Sequence, residues 1–385
     1  FIPILLSKSG KKMPSLINGI KFEYILLIAL GVLYGLLIPW VDFSGTRSWN
    51  QQASGRSLVA LIRILSELLL VYFTYFIFIS KRVNLKKFLN ILSTILLITS
   101  LVAFFDLFFN YPIFRILFGI DNLPEIIQSR LLGFSHEPRS LGRLLTVGWM
   151  FLFLYRINGY KFVFRNVSLI LGFVAIVFSF SFSTYFIFLL GIIIIFKNYF
   201  FKKTFSLIVI VVMLLITSTF LKKIESFSEG FMLRYTMVLE GKEYFSMPGE
   251  PLIFTRFEIF DRAALNFFYN NPQHLIFGTG PNLISIPASE YLGKSGAITF
   301  EGTINSIPGF GIINLVSRSG LLGLFLYLGV FIKIYKTLNK KHTRLLRDLL
   351  TVIFIMYLFV KSPWLYFTIG FIISQRELLT LPTKE

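Results

Sequence analysis

The 385-residue sequence contains no cysteine, so neither a disulfide nor thiolate chemistry is open to it. Histidine is almost as scarce: His136, His274 and His342 are too scattered to form a metal-ligand motif. Charge is sparse as well. Only 15% of residues are Asp, Glu, Lys or Arg against 55% hydrophobic, and a soluble domain with so little charge could not cover its own surface. There is no Walker loop, and no Asp-x-Asp pair to hold the metal of a nucleotide-sugar. Gly278-Thr-Gly280 lacks the third glycine and the βαβ setting of a dinucleotide fingerprint. Neither a metal nor a cofactor is expected. No internal repeat or low-complexity tract is evident, which argues against a transporter made of symmetric halves. The opening FIPILLSKSGKK is too short for a cleavable signal and has no small-residue cleavage site.

Apolar length is what the chain has. Several runs of roughly 16 or more mostly apolar residues can each cross most or all of about 30 Å of hydrocarbon at about 1.5 Å per residue. The 46 Phe and 17 Tyr suit lipid-facing and interfacial surface. The expected fold is an all-α polytopic membrane protein with about ten transmembrane helices. Expected spans are 24–41, 57–79, 88–109, one from the Pro138 region to Arg156, 166–180, one from Ser181–Thr184 to Lys197, 204–221 and 309–334. Two short helices should follow within 345–374, broken at Lys361-Ser-Pro363, because proline removes an amide donor and disfavours helix before it. Residues 110–135, with Pro112 and Pro124, are expected to lie on the membrane surface. Three regions result: helices one to seven (1–221), a large loop (222–308) and the C-terminal helices (309–385).

The net charge of +19 could suggest a nucleic-acid partner, but the lysines and arginines cluster in short loops, which is the orientation signal of a bilayer protein. Positive-inside places the N-terminus and loops 81–87, 156–165, 197–203 and 333–347 in the cytoplasm. Residues 42–56, 110–143, 180–184 and 222–308 then face outward. The last of these carries nine of the nineteen acids, Glu225, Glu229, Glu240, Glu243, Glu250, Glu258, Asp261, Glu290 and Glu301.

This orientation gathers the unusual charges on the outer side. In GFSHEPRSLGRLL (133–145), Pro138 suits a first helical position and Ser135 or Glu137 a cap. Arg139 and Arg143 are i,i+4 and share a helix face. A helix N-terminus with two arginines fits a phosphate; the bland reading is that both snorkel to lipid headgroups. Glu137, beside His136, is the best-placed carboxylate to act as a base; otherwise it is a cap or pairs with Arg139 or Arg143. Arg256 and Arg262 lie in the polar loop, where a solvated face is the default. Arg318 lies about ten residues into the eighth span if that begins at Gly309, so it needs a partner or a water-filled cavity.

Together these residues resemble a known superfamily. The run Arg256-Phe-Glu-Ile-Phe260, Ala264-Leu265, Asn271-Pro272 and Leu275-Ile-Phe-Gly278-Thr-Gly280 resembles the Arg…Trp…Ala-Leu…Pro-Leu-x-Gly-x-Gly pattern of Wzy-type O-antigen polymerases and O-antigen ligases. Asn314-Leu-Val-Ser-Arg318-Ser-Gly320-Leu-Leu-Gly323 resembles the superfamily's Gly-x-x-Gly helix, and Ser181-Phe-Ser183-Thr184 its Ser-x-Ser-Arg/Thr turn. Gly133-Phe-Ser-His-Glu137-Pro138 is similar to the Glu-Pro-Ser segment of exopolysaccharide polymerases. The resemblance covers about residues 130–375. The ligases carry a His-Asn/Ser/Gln pair a few turns before the Gly-x-x-Gly; those positions are about Gly309 and Phe310 here, so the ligases' proposed base is missing, which favours polymerase over ligase.

The resemblance implies a C-type glycosyltransferase in the bacterial inner membrane, acting on its outer face. Donor and acceptor would be undecaprenyl-diphosphate-linked oligosaccharides, with membrane lipids and a chain-length regulator protein as further partners. Arg139, Arg256 and Arg318 would bind the diphosphate and stabilise its developing charge. Glu137 would orient or deprotonate the acceptor hydroxyl. Arg143, Arg262 and His136 stand behind them. A ligase is the alternative in the same chemistry, and a flippase or transporter of lipid-linked glycan the alternative outside it.

Overall fold

Runs of leucine, isoleucine and phenylalanine interrupted by glycine, proline and basic clusters fold into helices of unequal length. The structure, a computed structural model, describes residues 15–37, 53–80, 82–109, 138–179, 181–196, 251, 254, 257, 259–280, 283–288, 291, 308–340, 343–360 and 362–380. Its helices are α1 (Ser15–Leu37), α2 (Ala53–Ile79), α3 (Leu85–Phe109), α4 (Pro138–Ile157), α5 (Arg165–Phe178), α6 (Phe182–Ile195), α7 (Ile259–Asn270), α8 (Gln273–Phe277), α9 (Ser285–Ala288), α10 (Gly311–Thr337), α11 (Arg344–Phe359) and α12 (Trp364–Thr380). Among the described residues the one extended pairing is an isolated antiparallel bridge between Phe310 and Val360. Among the described residues four stretches are long and apolar enough to cross a membrane: Leu58–Ile79, Leu85–Phe105, Ser140–Ile157 and Gly311–Thr337. The chain is a helical membrane protein.

The chain divides into two units, 1–79 with 236–341 and 354–385, and 80–235 with 342–353. In the first, α2 packs along α12 and α1 packs on both α2 and α10. Gly370 makes the α2–α12 approach possible: a Cβ there would lie 2.9 Å from Cβ of Thr74 and overlap the carbonyl of Val71. Phe78 and Phe371 meet edge to face at 4.9 Å, and the Tyr75 hydroxyl donates to Glu377 at 2.6 Å. Lys333 on α10 pairs with the buried Glu23 of α1.

In the second unit α3, α4 and α5 pack mutually, and α6 packs on α4. The contacts are small residues and directed hydrogen bonds, as expected where lipid leaves little hydrophobic driving force between helices. Ser93 donates to the carbonyl of Val163 at 2.7 Å and lies 2.8 Å from the Ser168 hydroxyl. Trp149 Nε1 donates to the carbonyl of Leu169 at 2.8 Å. Gly172 leaves room for Leu96, 3.0 Å from where its Cβ would stand.

Several expectations match these elements and others shift. Pro138 opens α4, and the chain breaks between Phe359 and Trp364 into two helices. The first helix starts at Ser15 rather than Tyr24, because Glu23, expected outside it, is buried against Lys333. The fifth and sixth segments lie close to their expected bounds and are short. With 14 residues each, α5 and α6 reach only about 21 Å, less than a hydrocarbon core of about 30 Å. The expected span 204–221, the surface segment 110–135 and most of the loop 222–308 lie outside the described residues.

Candidate functional site

The loop motif and the Gly-x-x-Gly motif meet. Helix α10 is broken at Ser319 (φ −150°, ψ 15°) and Gly320 (φ 65°, ψ −168°). Just before the break, the carbonyl of Ser317 accepts from Thr279, from its amide at 2.9 Å and from its hydroxyl at 3.0 Å. The chain reaches that carbonyl because two glycines touch. A Cβ on Gly278, itself at φ 81°, would stand 2.6 Å from the nitrogen of Gly320, and a Cβ on Gly320 would overlap the carbonyl of Ile276. Gly323 vacates the space filled by the Ser319 side chain, whose hydroxyl turns back to the carbonyl of Leu315 at 3.4 Å.

The segment before Gly278 is anchored beside the same helix. Ala263, Ala264, Phe267, Phe268, Ile284 and Ala288 form an apolar cluster with Ile313 and Val316 of α10. The buried Asp261 carboxylate accepts the amide of Phe310 at 3.0 Å, placing an acid at the positive end of α10. His274 faces the carbonyl of Gly278 at 3.3 Å. The Gly278-Thr279-Gly280 motif thus holds a polar segment against a helix break.

Arg318 lies one residue before the non-helical pair and is 5% exposed. Its Nη1 is 3.3 Å from Glu67 Oε1 near the middle of α2, and Glu67 Oε2 accepts the Tyr327 hydroxyl at 3.1 Å. Three more buried tyrosines surround the pair. The hydroxyls of Tyr357 and Tyr366 are 2.6 Å apart, and Tyr24 meets Tyr327 and Tyr366 edge-on with ring centres 6.3 Å away. The cluster draws on α1, α2, α10, α11 and α12. It is incomplete in one direction: among the described residues, Arg318 Nε and Nη2 and the Tyr24 hydroxyl have no hydrogen-bond partner. An Nε–Nη2 edge is the fork that matches two oxygens of a phosphate or carboxylate.

A second pair of motifs meets in the other unit. A Cβ on Gly142 of α4 would stand 2.6 Å from Oγ1 of Thr184 and 2.8 Å from Oγ of Ser179. The Ser181-Phe-Ser183-Thr184 segment therefore begins α6 against the turn of α4 that carries Arg139 and Arg143. Thr146, one turn beyond Gly142, and Thr184 are fully buried.

The expected site residues are distributed as follows. Arg318 is buried and paired with Glu67. Arg262 is half-buried on α7 in the same unit, next to Asp261. Arg139 and the half-buried Arg143 are on α4, in the other unit. His136, Glu137 and Arg256 lie outside the described residues. Glu67 and the four tyrosines were not foreseen. The available signal for Glu67 was the single carboxylate in the span 57–79, whose other charged residue is Arg63, as expensive to bury as the arginine. Among the described residues no group of three or more His, Cys, Asp or Glu could hold a metal ion.

No protein-family model matches the sequence, and no characterised protein matches it.

Proposed function

We propose that this chain is a membrane-embedded glycosyltransferase that polymerises lipid-linked oligosaccharide repeats. It would transfer the growing glycan from undecaprenyl diphosphate to the acceptor sugar of another lipid-linked repeat. The observation that carries the reading is Arg318: a nearly fully buried guanidinium, at a helix break closed by Gly278-Thr279-Gly280, with a two-nitrogen edge left over. A leaving diphosphate needs such a fixed positive fork, because charge builds on its oxygens as the glycosidic bond breaks. The motif order from Glu137 to Gly323 supports the same chemistry.

In this reading the chain has about ten transmembrane helices of the C-type glycosyltransferase pattern and works on the outer face of the bacterial inner membrane. Arg256 and Arg318 act at the diphosphate, with Arg262 in the same unit; Arg139, Arg143 and His136 keep the diphosphate-binding role that the resemblance implies. Glu137 orients or deprotonates the acceptor hydroxyl. The test is chain extension by the purified protein on a lipid-linked repeat. Arg256→Ala and Arg318→Ala should each lower the rate by about 10²–10³; near-wild-type extension in both would refute the assignment.

The Glu67–Arg318 pair also favours a second reading, since intramembrane ion pairs mark the pathways of transporters. Product length separates the two. A ladder of repeats on the carrier lipid, made without a second membrane protein, supports the polymerase. Translocation of intact repeats without extension supports a transporter of lipid-linked glycan.

A further inference from the structure

The diphosphate reading accounts for Arg318 but not for two polar side chains beside it. Asn314, Ser317 and Arg318 stand at i, i+3 and i+4 and share one face of α10. All three are buried, at 5%, 2% and 5% exposure. Among the described residues Asn314 Oδ1 and Ser317 Oγ have no hydrogen-bond partner, like Arg318 Nε and Nη2. Proteins rarely leave buried polar groups unpaired, and three neighbours within little more than one turn call for a common cause. Another face of the helix is apolar, with Ile313 and Val316 packed into the cluster formed with α7 and α9.

The surrounding chain holds these atoms in reserve. Asn314 Nδ2 donates to the carbonyl of Pro308 at 3.2 Å. A carbonyl can only accept, so this bond fixes the amide oxygen as the unused atom. Ser319 sends its hydroxyl back to the carbonyl of Leu315, four residues earlier. That route is open to any helical serine, yet Ser317 does not take it. Thr279 directs its amide and hydroxyl to the Ser317 carbonyl, not to the Ser317 side chain. Long side chains on a helix lean toward its N-terminus, which sets the Arg318 fork alongside the turn of Asn314. The stripe thus offers an acceptor, a hydroxyl and a cationic two-nitrogen edge. A ligand that matches it carries anionic oxygens next to neutral hydroxyl or amide donors, which is the composition of a sugar diphosphate.

We propose that Asn314 and Ser317 form the subsite for the sugar joined to the diphosphate. Asn314 Oδ1 accepts from one hydroxyl or amide donor of that sugar, and Ser317 Oγ bonds a second hydroxyl. This rests on the diphosphate reading and deepens it: Arg318 takes the charge, and its two neighbours select the sugar. A site built to hydrogen-bond a hydroxyl rejects an analogue that lacks it, because its own buried polar atoms then stay unpaired. Lipid diphosphate without a sugar is therefore held more weakly than the glycosylated form.

The experiment measures calorimetric binding to the purified full chain in nanodiscs. The probes are farnesyl diphosphate and farnesyl diphosphate bearing glucose, galactose, N-acetylglucosamine or N-acetylgalactosamine. Wild type should bind at least one glycosylated probe about tenfold tighter than farnesyl diphosphate. Asn314→Ala and Ser317→Ala should each lose about tenfold on that probe, the worth of one hydrogen bond, and keep wild-type affinity for farnesyl diphosphate. Without ligand, Ser317→Ala should melt at or above the wild-type temperature, since it deletes an unpaired hydroxyl. A lower melting temperature for Ser317→Ala overturns the proposal. So does wild-type affinity for the glycosylated probe in either variant, or equal weakening of both kinds of probe. Glycosylated probes bound no tighter than farnesyl diphosphate by wild type overturn it as well. If Arg318→Gln has lost both kinds of probe in that case, the diphosphate site stands and only the sugar subsite fails. If Arg318→Gln binds both as wild type does, the diphosphate reading itself fails.

Discussion

The carbonyl of Ser317 accepts two hydrogen bonds from Thr279, one from its amide at 2.9 Å and one from its hydroxyl at 3.0 Å. A helix break in an apolar environment exposes backbone groups that water cannot reach, and each must be satisfied inside the protein. Thr279 does this for the turn that carries Arg318. The docked segment and the arginine are therefore one structural unit.

Substitutions at this junction should separate its parts. Thr279→Val keeps the amide bond and loses the hydroxyl, costing about 1 kcal/mol. Gly278→Ala must adopt φ 81° and displace the backbone of residues 317–320, so it should cost at least about 2 kcal/mol. Thermal unfolding of the purified protein, followed by circular dichroism, would rank them. Equal melting temperatures for Gly278→Ala and wild type would contradict the close approach of the two glycines.

The Glu67–Arg318 pair should show strong non-additivity. Removing either partner alone leaves a buried charge uncompensated and should cost about 3–5 kcal/mol. The double variant Glu67→Met with Arg318→Met should be closer to wild type in stability than either single variant, since apolar replacements of buried ion pairs are often neutral or stabilising. A double-mutant cycle measured by denaturation in mild detergent checks this. Additive losses would mean that the two side chains do not interact.

Gly142 offers a test confined to the second unit. Its missing side chain lets Thr184 and Ser179 close on α4, with Thr184 Oγ1 2.6 Å from the Cβ position. Gly142→Leu should force α4 and α6 apart and destabilise by about 1–3 kcal/mol, as overpacking does. Gly159→Leu, whose Cβ direction meets nothing within 4 Å but whose φ is 86°, should carry a backbone penalty alone. Comparing their melting temperatures and tryptophan emission separates the effects: only Gly142→Leu should change the surroundings of Trp149 on α4.

Much of this was legible from the sequence. Long apolar runs specify helices, Pro138 and Pro363 mark boundaries, and an arginine inside an apolar run announces that something must face it. The partner of Arg318 was not legible, because Glu67 is 251 positions away and pairing across such a separation is decided by helix packing. The role of Gly278-Thr-Gly280 was hidden for the same reason. Its glycines are explained by the positive φ of Gly278 and Gly280 and by contact with Gly320, a residue on another helix. Local patterning fixed which segments are helical, whereas the tyrosine cluster comes from α1, α10, α11 and α12, brought together only by tertiary packing. The short α5 and α6 show the converse. Their composition is that of full spans, but α5 ends at Phe178 and α6 begins at Phe182, and Ser179 bonds back to the carbonyl of Ile176 at 2.7 Å.

The most direct test of the central claim is the rate of chain extension on a purified lipid-linked repeat by wild type, Arg318→Gln and Gly329→Ala. Gly329 is on the same helix as Arg318, and a Cβ there meets nothing within 4 Å. Gly329→Ala should extend at the wild-type rate, and Arg318→Gln should be slower by about 10²–10³. Near-wild-type extension by a folded Arg318→Gln, or no extension by wild type with its repeat supplied, would contradict the account.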